Sequence, residues 1–99
     1  MAADHHYFYV LSCRDQTFYG GYTTDLIRQE KEHNQGIGAK YTRPASRRPL
    51  QMIHAEAFSS RSEATKAEAA FKKLHRKDKE QYLTQHQAQN VLLHLWKQS

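Results

Sequence analysis

Residues 7–13, Tyr-Phe-Tyr-Val-Leu-Ser-Cys, and residues 17–22, Thr-Phe-Tyr-Gly-Gly-Tyr, decide the fold of this chain. Both segments are rich in the aromatic and β-branched residues that favour β-strands. The segment between them, Arg14-Asp15-Gln16, is polar and has the length of a hairpin turn. The sequence therefore predicts an antiparallel hairpin formed by two strands close to the first residue.

The register of this hairpin decides which tyrosines meet. If Cys13 pairs with Thr17 across the turn, Tyr9 lies opposite Gly21. Tyr9 and Tyr19 then become diagonal neighbours on one face of the sheet, roughly 7–8 Å apart by Cα. The missing side chain of Gly21 is expected to leave open space beside the Tyr9 ring. A slip of one residue would instead put the tyrosines on opposite faces.

A first helix is expected directly after the hairpin. Thr24 is the predicted N-cap, Asp25 suits the positive end of the helix, and the helical pattern ends at Asn34. This helix carries two residues with chemistry of their own, Arg28 and His33. Both are candidates for a functional site.

A third strand and a second helix follow a loop at residues 36–49 that has room for one helical turn. Residues 50–58 alternate imperfectly between apolar and polar types and are predicted to form the third strand. Ser60-Arg61-Ser62-Glu63 is a capping box that begins the second helix. Residues 76–83 predict a basic helix or turn, and a C-terminal helix is expected to include Val91, Leu92, Leu95 and Trp96. The apolar stripe of the second helix consists of Ala64, Ala67, Ala70, Phe71 and Leu74.

Glu68 is the most unusual acidic residue of the sequence. It follows Ala64 by four residues and precedes Phe71 by three, which places it on or beside the apolar stripe of the second helix. A carboxylate in that position is costly unless a cation or metal ion pairs with it. A border residue that turns to water, or a plain ion pair, is the ordinary alternative.

Length and composition indicate one small domain. A chain of 99 residues buries about two-thirds of its unfolded surface, which leaves no room for a large internal cavity. With 38% hydrophobic and 25% charged residues, the chain is too apolar for a disordered tail, and its apolar runs are too short to span a membrane. The first residues lack the pattern of a signal peptide, and the lone Cys13 excludes an intrachain disulfide. These features favour a reducing, cytoplasmic compartment.

The net charge of +5 is concentrated in the loop at residues 36–49, which contains four basic residues and no acid. This basic loop is the better candidate for binding a polyanion. Basic residues of the second helix alternate with acids and favour a solvated face, although two of them remain candidate phosphate contacts. The candidate nucleic-acid contacts are Lys40, Arg43, Arg47 and Arg48 in the loop and Lys72 and Lys73 in the helix.

Histidine and cysteine do not form a metal site by their spacing. No pair of the seven histidines has the i, i+4 spacing of a zinc helix, and one cysteine cannot build a structural zinc site. A nucleophilic pair of Cys13 with His33 or His54 is a minor alternative, because Cys13 is expected to pack as a small core residue.

The order and spacing of several motifs resemble the GIY-YIG nuclease superfamily. Tyr7-Phe8-Tyr9, nine further residues and Tyr19-Gly20-Gly21 occupy the places of its Gly-Ile-Tyr and Tyr-Ile-Gly motifs. The chain looks most like the small stand-alone bacterial YhbQ-type branch, which is similar to the nuclease domain of structure-specific endonuclease subunits. The other matching segments are residues 22–28, 32–34, 38–43 and 63–68.

The resemblance implies an α+β fold, with a small three-stranded antiparallel sheet made of the N-terminal hairpin and a third strand, flanked by helices. One nuclease-like domain would occupy residues 1–99, with its core at about 7–83 and a helical extension over 84–99. Tyr9 and Tyr19 would be the motif tyrosines, Arg28 the active-site arginine, and Glu68 the ligand of one Mg²⁺ or Mn²⁺ ion. His33 lies near the place where the family often has an additional His or Tyr.

The implied activity is metal-dependent hydrolysis of DNA phosphodiester bonds, in repair or recombination and with preference for particular DNA structures. The implied partner is branched, nicked or duplex DNA, with a protein partner that supplies specificity and with no membrane or small-molecule cofactor. Two alternatives stay open: a nucleic-acid-binding accessory protein with weak or no cleavage, and a protein-interaction module whose basic loop docks an acidic partner.

The sequence departs from the family pattern at three places. Tyr7 and Phe8 replace the glycine and isoleucine of the first motif, and Gly20 replaces the isoleucine of the second, which is expected to loosen the second strand. Many members have an active-site asparagine after the glutamate. Here the only asparagine after Glu68 is Asn90, far downstream, so that role has no assigned residue.

Overall fold

The hairpin forms in the expected register. In the computed structural model, which describes residues 5–92, strand β1 spans His6–Ser12 and strand β2 spans Phe18–Thr23. Tyr9 pairs with Gly21 and Leu11 pairs with Tyr19. The Cys13 amide donates a hydrogen bond to the Thr17 carbonyl at 2.9 Å, which closes the turn. Tyr9 and Tyr19 therefore share one face of the sheet, as the sequence predicts.

Strand β3, at Gln51–Phe58, completes a three-stranded antiparallel sheet of order β2-β1-β3. A register shift interrupts the β1–β3 pairing between Val10 and Leu11. The Asn90 side chain forms hydrogen bonds with the outer edge of β3. Its amide nitrogen donates to the Ile53 carbonyl and its oxygen accepts from the Ala55 amide, each at 3.1 Å. Asn90 therefore stabilises the edge of the sheet.

Three helices flank the sheet: α1 at Leu26–Asn34, α2 at Arg61–Lys72 and α3 at Arg76–Gln85. The predicted N-cap Thr24 of α1 is wrong, because Asp25 is the N-cap. Asp25 has an extended backbone, and its side chain accepts a hydrogen bond from the Arg28 amide at 3.1 Å. Ser60 is confirmed as the N-cap of α2, because its hydroxyl accepts the Glu63 amide at 3.1 Å. The Glu63 carboxylate accepts from the Ser59 hydroxyl, at 2.7 Å, and not from the Ser60 amide of a full capping box. Short 3₁₀ turns lie at residues 40–42, 45–47 and 87–89. Two of these turns lie in the loop where the sequence leaves room for one.

Side chains alternate along β1 between two apolar cores. Tyr9 and Leu11 face α1, together with Leu26, whereas Phe8 and Val10 face the α2 side. Leu50, Met52 and Cys13 complete the first core, and Phe71 of α2 completes the second. The predicted stripe on α2 is wrong at Ala70, which is exposed, and Leu74 lies beyond the helix end although it packs on the second core.

Gly20 does not loosen β2, because aromatic rings fill the space beside it. A Cβ at Gly20 would lie 3.3 Å from Cδ2 of Phe71 and 3.4 Å from Cε1 of Phe8. The strand keeps its pairing with β1 through this position.

Every helix within residues 5–92 is too short or too polar to cross a bilayer. The predicted C-terminal helix lies largely outside the described residues, including its positions Leu95 and Trp96.

Candidate functional site

Three aromatic side chains from β1, β2 and α1 meet on one side of the sheet. The ring centroids of Tyr9 and Tyr19 are 6.5 Å apart, and that of His33 lies 6.0 Å from Tyr9 and 5.3 Å from Tyr19. The hairpin register positions the two tyrosines, and α1 carries His33 across the sheet to them. The structure therefore brings three of the candidate site residues together, Tyr9, Tyr19 and His33.

The Tyr9 ring occupies the space that Gly21 leaves. A Cβ at Gly21 would lie 2.5 Å from the Tyr9 hydroxyl oxygen, so only glycine permits this ring position. The expected open space is absent, because the ring itself lies across the strand and is only 2% exposed. Tyr9 is a buried residue of the site, whereas Tyr19 is half-buried.

A chain of buried hydrogen bonds extends inward from Tyr9. The Tyr9 hydroxyl lies 2.9 Å from Nε2 of His33, and Nδ1 of His33 lies 2.6 Å from the Thr42 hydroxyl, which donates to the Ala39 carbonyl at 3.0 Å. Because the Thr42 hydrogen is used by Ala39, Thr42 accepts from the Nδ1–H of His33. Nε2 then accepts from Tyr9, so the network directs the Tyr9 hydrogen inward.

Two residues that support this chain carry no obvious signal in the sequence. Thr42 is fully buried, and it looks like an ordinary loop residue until the fold brings it to His33. Gly38 is required because a Cβ there would lie 2.5 Å from Nδ1 of His33. For Gly38, the two glycines at 36 and 38 are a weak sequence signal that the backbone approaches another group closely; Thr42 has no such signal.

Burial sets the protonation of the cluster. Desolvation lowers the pKa of His33, against the opposing charge of Glu32, so the imidazole is neutral at pH 7. Desolvation, aided by the charges of Tyr19, Glu68 and Glu32, raises the pKa of Tyr9. Burial also raises the pKa of Tyr19, although Lys72 opposes this. Both tyrosines are therefore protonated at neutral pH.

Glu68 lies beside the tyrosines and is paired with a cation. Its side chain is 19% exposed, and Oε2 lies 2.8 Å from Nζ of Lys72. Lys72 Nζ in turn lies 5.4 Å from the Tyr19 ring centroid. The Glu68 charge contributes to the raised pKa of both Tyr9 and Tyr19. Glu68 is partly buried and paired, as expected for a carboxylate beside an apolar stripe, and its partner is Lys72.

Arg28 lies at the edge of this cluster. Its side chain is 60% exposed, and its Nε lies 3.8 Å from Oε2 of Glu32. The residue of α1 that reaches the tyrosines is Gln29, whose Oε1 lies 3.4 Å from the Tyr9 hydroxyl. A helix turns 100° per residue, so Arg28 and Gln29 point in different directions. The structure thus joins Tyr9, Tyr19 and His33, brings the Glu68–Lys72 pair up to Tyr19 through Lys72, and pairs Arg28 with Glu32.

The donor set at Glu68 fits one weakly held divalent ion. Within residues 5–92, no three His, Cys, Asp or Glu side chains are placed together to hold a metal. One carboxylate is nevertheless the usual protein contribution to Mg²⁺, which completes its coordination with water and substrate phosphate. Such an ion would have to displace Lys72 from Glu68.

The basic loop contributes fewer unpaired cations than its sequence indicates. Lys40 and Arg43 are exposed. Arg47 pairs with Asp15 of the hairpin turn, at 3.2 Å between Nε and Oδ2. The loop contains no acid of its own, but this acid from outside it neutralises one of its four basic residues. The guanidinium of Arg48 packs on Gly36. The loop therefore presents chiefly Lys40 and Arg43 to a partner. Lys73, the C-cap of α2, is exposed.

A Cys–His nucleophile is excluded by the position of Cys13. The thiol is buried in the first core, and desolvation raises its pKa, so the reactive thiolate is disfavoured. His54, the other histidine considered, lies on the α2 side of the sheet, where its Nε2 is 2.8 Å from Oε2 of Glu56. Cys13 is a core residue.

The buried neutral His33 predicts loss of stability on acidification. Its pKa is lowered in the folded state, so the unfolded chain binds more protons near and below the unperturbed value of about 6.5. The free energy of unfolding should fall as the pH drops from about 7.5 to about 5.5, by up to about 1.4 kcal/mol per pH unit. Guanidinium unfolding across this range should show a shallower pH slope for His33→Asn. The exposed His75→Asn is the control and should keep the wild-type slope.

Comparisons with known proteins show the family of this chain. A family model described as the GIY-YIG catalytic domain matches residues 5–82. A UPF0213 protein of Enterococcus faecalis is 72% identical over 78 residues, which cover 79% of this chain and 89% of that protein. A UPF0213 protein of Listeria monocytogenes is 64% identical over 83 residues, 84% of this chain and 91% of that one.

Two solution NMR structures are similar to this fold. The structure of an Enterococcus faecalis protein is 67% identical and covers 84% of this chain and 86% of its own, with a TM-score of 0.59. The structure of a UPF0213 protein from Bacillus halodurans is 46% identical, covers 80% of this chain and 82% of its own, and has a TM-score of 0.53. The likeness extends over most of both chains in each case.

Proposed function

Since this chain belongs to the GIY-YIG family, a family of nucleases, we propose that it is a divalent-metal-dependent endonuclease that hydrolyses phosphodiester bonds of DNA. The observation that carries the proposal is the meeting of Tyr9, Tyr19 and His33, with Glu68 held near Tyr19 through Lys72. A hydroxyl pair, a neutral imidazole and a carboxylate are complementary groups for moving a proton near a phosphate.

The protein's own residues supply a route for a proton. Tyr9 is not ionised, so it cannot take a proton as a phenolate. Its hydrogen already points to Nε2 of the neutral His33. When an attacking water gives a proton to the Tyr9 oxygen, the hydroxyl hydrogen passes to Nε2, and the charge of Glu32 favours the imidazolium that forms. The pair accepts one proton without an ionised tyrosine.

Glu68 and the basic residues would hold and orient the substrate. Glu68 would ligate one Mg²⁺ or Mn²⁺ ion, which when bound polarises the phosphate and neutralises charge on its oxygens. Tyr19, half-buried, can donate its hydroxyl hydrogen to a phosphate oxygen. Arg28 is exposed and weakly paired, so its planar guanidinium can leave Glu32 and bind phosphate oxygens.

The exposed part of the basic loop is proposed to bind the DNA backbone. Each phosphate contact contributes about 0.9 to the slope of log affinity against log salt on duplex DNA. The double variant Lys40→Ala/Arg43→Ala should therefore bind duplex DNA more weakly, with a slope shallower by about 1.8. Binding titrations at several salt concentrations measure this slope.

A charge-matched control separates these contacts from net charge. Lys31→Ala/Lys66→Ala removes two exposed cations from the outer faces of α1 and α2. It should lower the slope much less than the loop variant does. Equal slopes for the two double variants would remove the basic loop from the interface.

We further propose that the enzyme selects DNA by structure, in repair or recombination in the cytoplasm. Specificity would come from DNA shape or from a protein partner. The direct test incubates the protein with labelled linear, nicked, bubble and branched DNA, with and without Mg²⁺ or Mn²⁺. Metal-dependent cleavage of one or more of these substrates is the expected result, and cleavage of none would contradict the proposal.

A second candidate function is DNA binding without cleavage. Two contacts favour it: Lys72 already neutralises Glu68, and the helix α1 presents Gln29, a neutral side chain, to Tyr9. In that case the protein would bind the same DNA substrates, and neither metal would produce cleavage. The substrate panel above therefore decides between the two functions.

A further inference from the structure

A cleft opens beside Tyr19, between the start of β2, the 3₁₀ turn at 40–42 and the start of α3. It consists of two adjoining cavities of about 300 and 370 Å³, which share Phe18, Tyr41 and Lys79 in their walls. The larger cavity is also lined by Tyr19 and Lys72. The cleft thus leads directly to the cluster of tyrosines, and its volume is at the lower end of the range of small-molecule sites.

Flat side chains form the walls of this cleft. The rings of Tyr41 and Tyr19 are stacked, with centroids 5.8 Å apart and planes 23° from parallel. The Arg47 guanidinium lies 4.0 Å from the Tyr41 ring centroid, and the Arg76 guanidinium lies 3.9 Å from the Phe18 ring centroid. Tyr41 is 38% exposed, an unusually open position for a large aromatic residue of this chain. Aromatic rings and guanidinium planes are the surfaces on which nucleobases stack.

The charge of the cleft matches a nucleic-acid strand. Three of the described residues that line it are cations, Lys72, Arg76 and Lys79, and none of those described is an acid. Arg76 is held in place by the Gln16 carbonyl and by Glu80, whose Oε2 lies 2.9 Å from its Nε. The guanidinium is therefore fixed over Phe18, and Lys79 remains to meet a phosphate, whereas Lys72 is paired with Glu68.

We propose that this cleft binds one unpaired nucleobase of a single DNA strand next to the phosphate that reaches Tyr19. A base inside a duplex has both faces covered by its neighbours, so only an unpaired or flipped base can stack in the cleft. It would stack on the outer plane of the Arg76 guanidinium over Phe18, or on Tyr41 in place of the Arg47 guanidinium that lies over that ring. Lys79, which lines both cavities, then contacts the backbone beside that base. The inference rests on the proposed function, because it names the form of substrate that the same site takes.

The test measures binding in EDTA, so that it does not depend on cleavage. A short single strand that contains 2-aminopurine reports stacking through its fluorescence. Wild-type protein should quench this fluorescence, and Tyr41→Ala should bind about tenfold more weakly, with an unchanged salt slope, because stacking releases no counterions. Lys79→Ala should instead lower the slope by about 0.7, the contribution of one phosphate contact on a single strand.

Tyr22→Ala is the matched control. Like Tyr41, Tyr22 has a guanidinium over its ring, that of Arg61 at 5.5 Å, but it lies on β2 outside the cleft. It should bind as wild type does. Tyr41→Phe keeps the ring and should also bind normally. If Tyr41→Ala does not fold, quenching of 2-aminopurine by the wild-type protein tests the base site, and Lys79→Ala tests the phosphate contact beside it.

The outcomes separate this inference from the proposed function. Failure of the wild-type protein to quench 2-aminopurine, or equal losses in Tyr41→Ala and Tyr22→Ala, would overturn the base site even if the protein cuts DNA. An equal loss by Tyr41→Ala on a blunt duplex of the same sequence would also overturn it. Quenching that depends on Tyr41, in a protein that cuts nothing with Mg²⁺ or Mn²⁺, would support the base site and contradict the nuclease proposal.

Discussion

Glu68→Gln is expected to abolish metal-dependent cleavage while the fold and DNA binding survive. Gln keeps the length of Glu and nearly its helix propensity, so α2 should form as before. The variant loses the carboxylate that would anchor the ion, and Lewis-acid stabilisation of phosphoryl chemistry amounts to several kcal/mol. Cleavage should therefore fall by about 10²-fold or more. Cleavage rates, circular dichroism and DNA titrations measure the three properties.

The loss of the Glu68–Lys72 ion pair should cost little stability. An i, i+4 pair with one largely solvated partner contributes about 0.3–0.5 kcal/mol. DNA binding should be equal or slightly tighter, because Lys72 is released and one negative charge is removed. An unfolded Glu68→Gln variant would show that Glu68 is a structural residue. A folded variant that cuts at the wild-type rate would place the ion elsewhere.

Glu63→Gln is the control for this prediction, since it makes the same change in the same helix. Glu63 lies in the exposed first turn of α2, where its Oε1 accepts from the Ser59 hydroxyl at 2.7 Å, a hydrogen bond that Gln can keep. The control should cut DNA at nearly the wild-type rate. A similar loss of cleavage in both variants would assign the effect to net charge.

The hairpin and the tyrosine pair could be predicted because their geometry is local. A turn of three residues leaves few registers, and pairing across it brings Tyr9 opposite Gly21 without any information from the rest of the chain. Glu68 could be singled out for a similar reason, because helical periodicity alone places it beside the buried positions Ala64 and Phe71.

The partners of these residues could not be predicted, because they come from distant parts of the chain. Thr42 reaches His33 only after the basic loop folds back, and Asp15 meets Arg47 across 32 positions of sequence. The neighbour of Tyr9 on α1 could not be predicted either, because helix α1 could be phased on the sheet only after the fold was known. Successive residues of a helix differ by 100° in direction, and the structure turns Gln29 to Tyr9 while Arg28 pairs with Glu32.

The second large effect is expected from Tyr9→Phe. The ring should keep its position over Gly21, because the substitution removes only the hydroxyl. His33 Nε2 then loses its donor in a buried position, which should cost about 1–3 kcal/mol of unfolding free energy. If Tyr9 and His33 together accept a proton from water, cleavage should fall by about 10²- to 10⁴-fold, the range for a lost general base. Denaturant unfolding and single-turnover cleavage measure the two losses.

Tyr22→Phe makes the comparison specific to the site, because Tyr22 also forms a tyrosine–histidine hydrogen bond. Its hydroxyl lies 2.8 Å from Nδ1 of His6, outside the cluster of Tyr9, Tyr19 and His33. It should lose some stability and keep its cleavage rate, whereas Tyr9→Phe should lose both. If Tyr9→Phe is destabilised but cuts at the wild-type rate, the hydrogen bond to His33 serves only the fold. The water's proton must then go to another acceptor, and the proton route through Tyr9 is wrong.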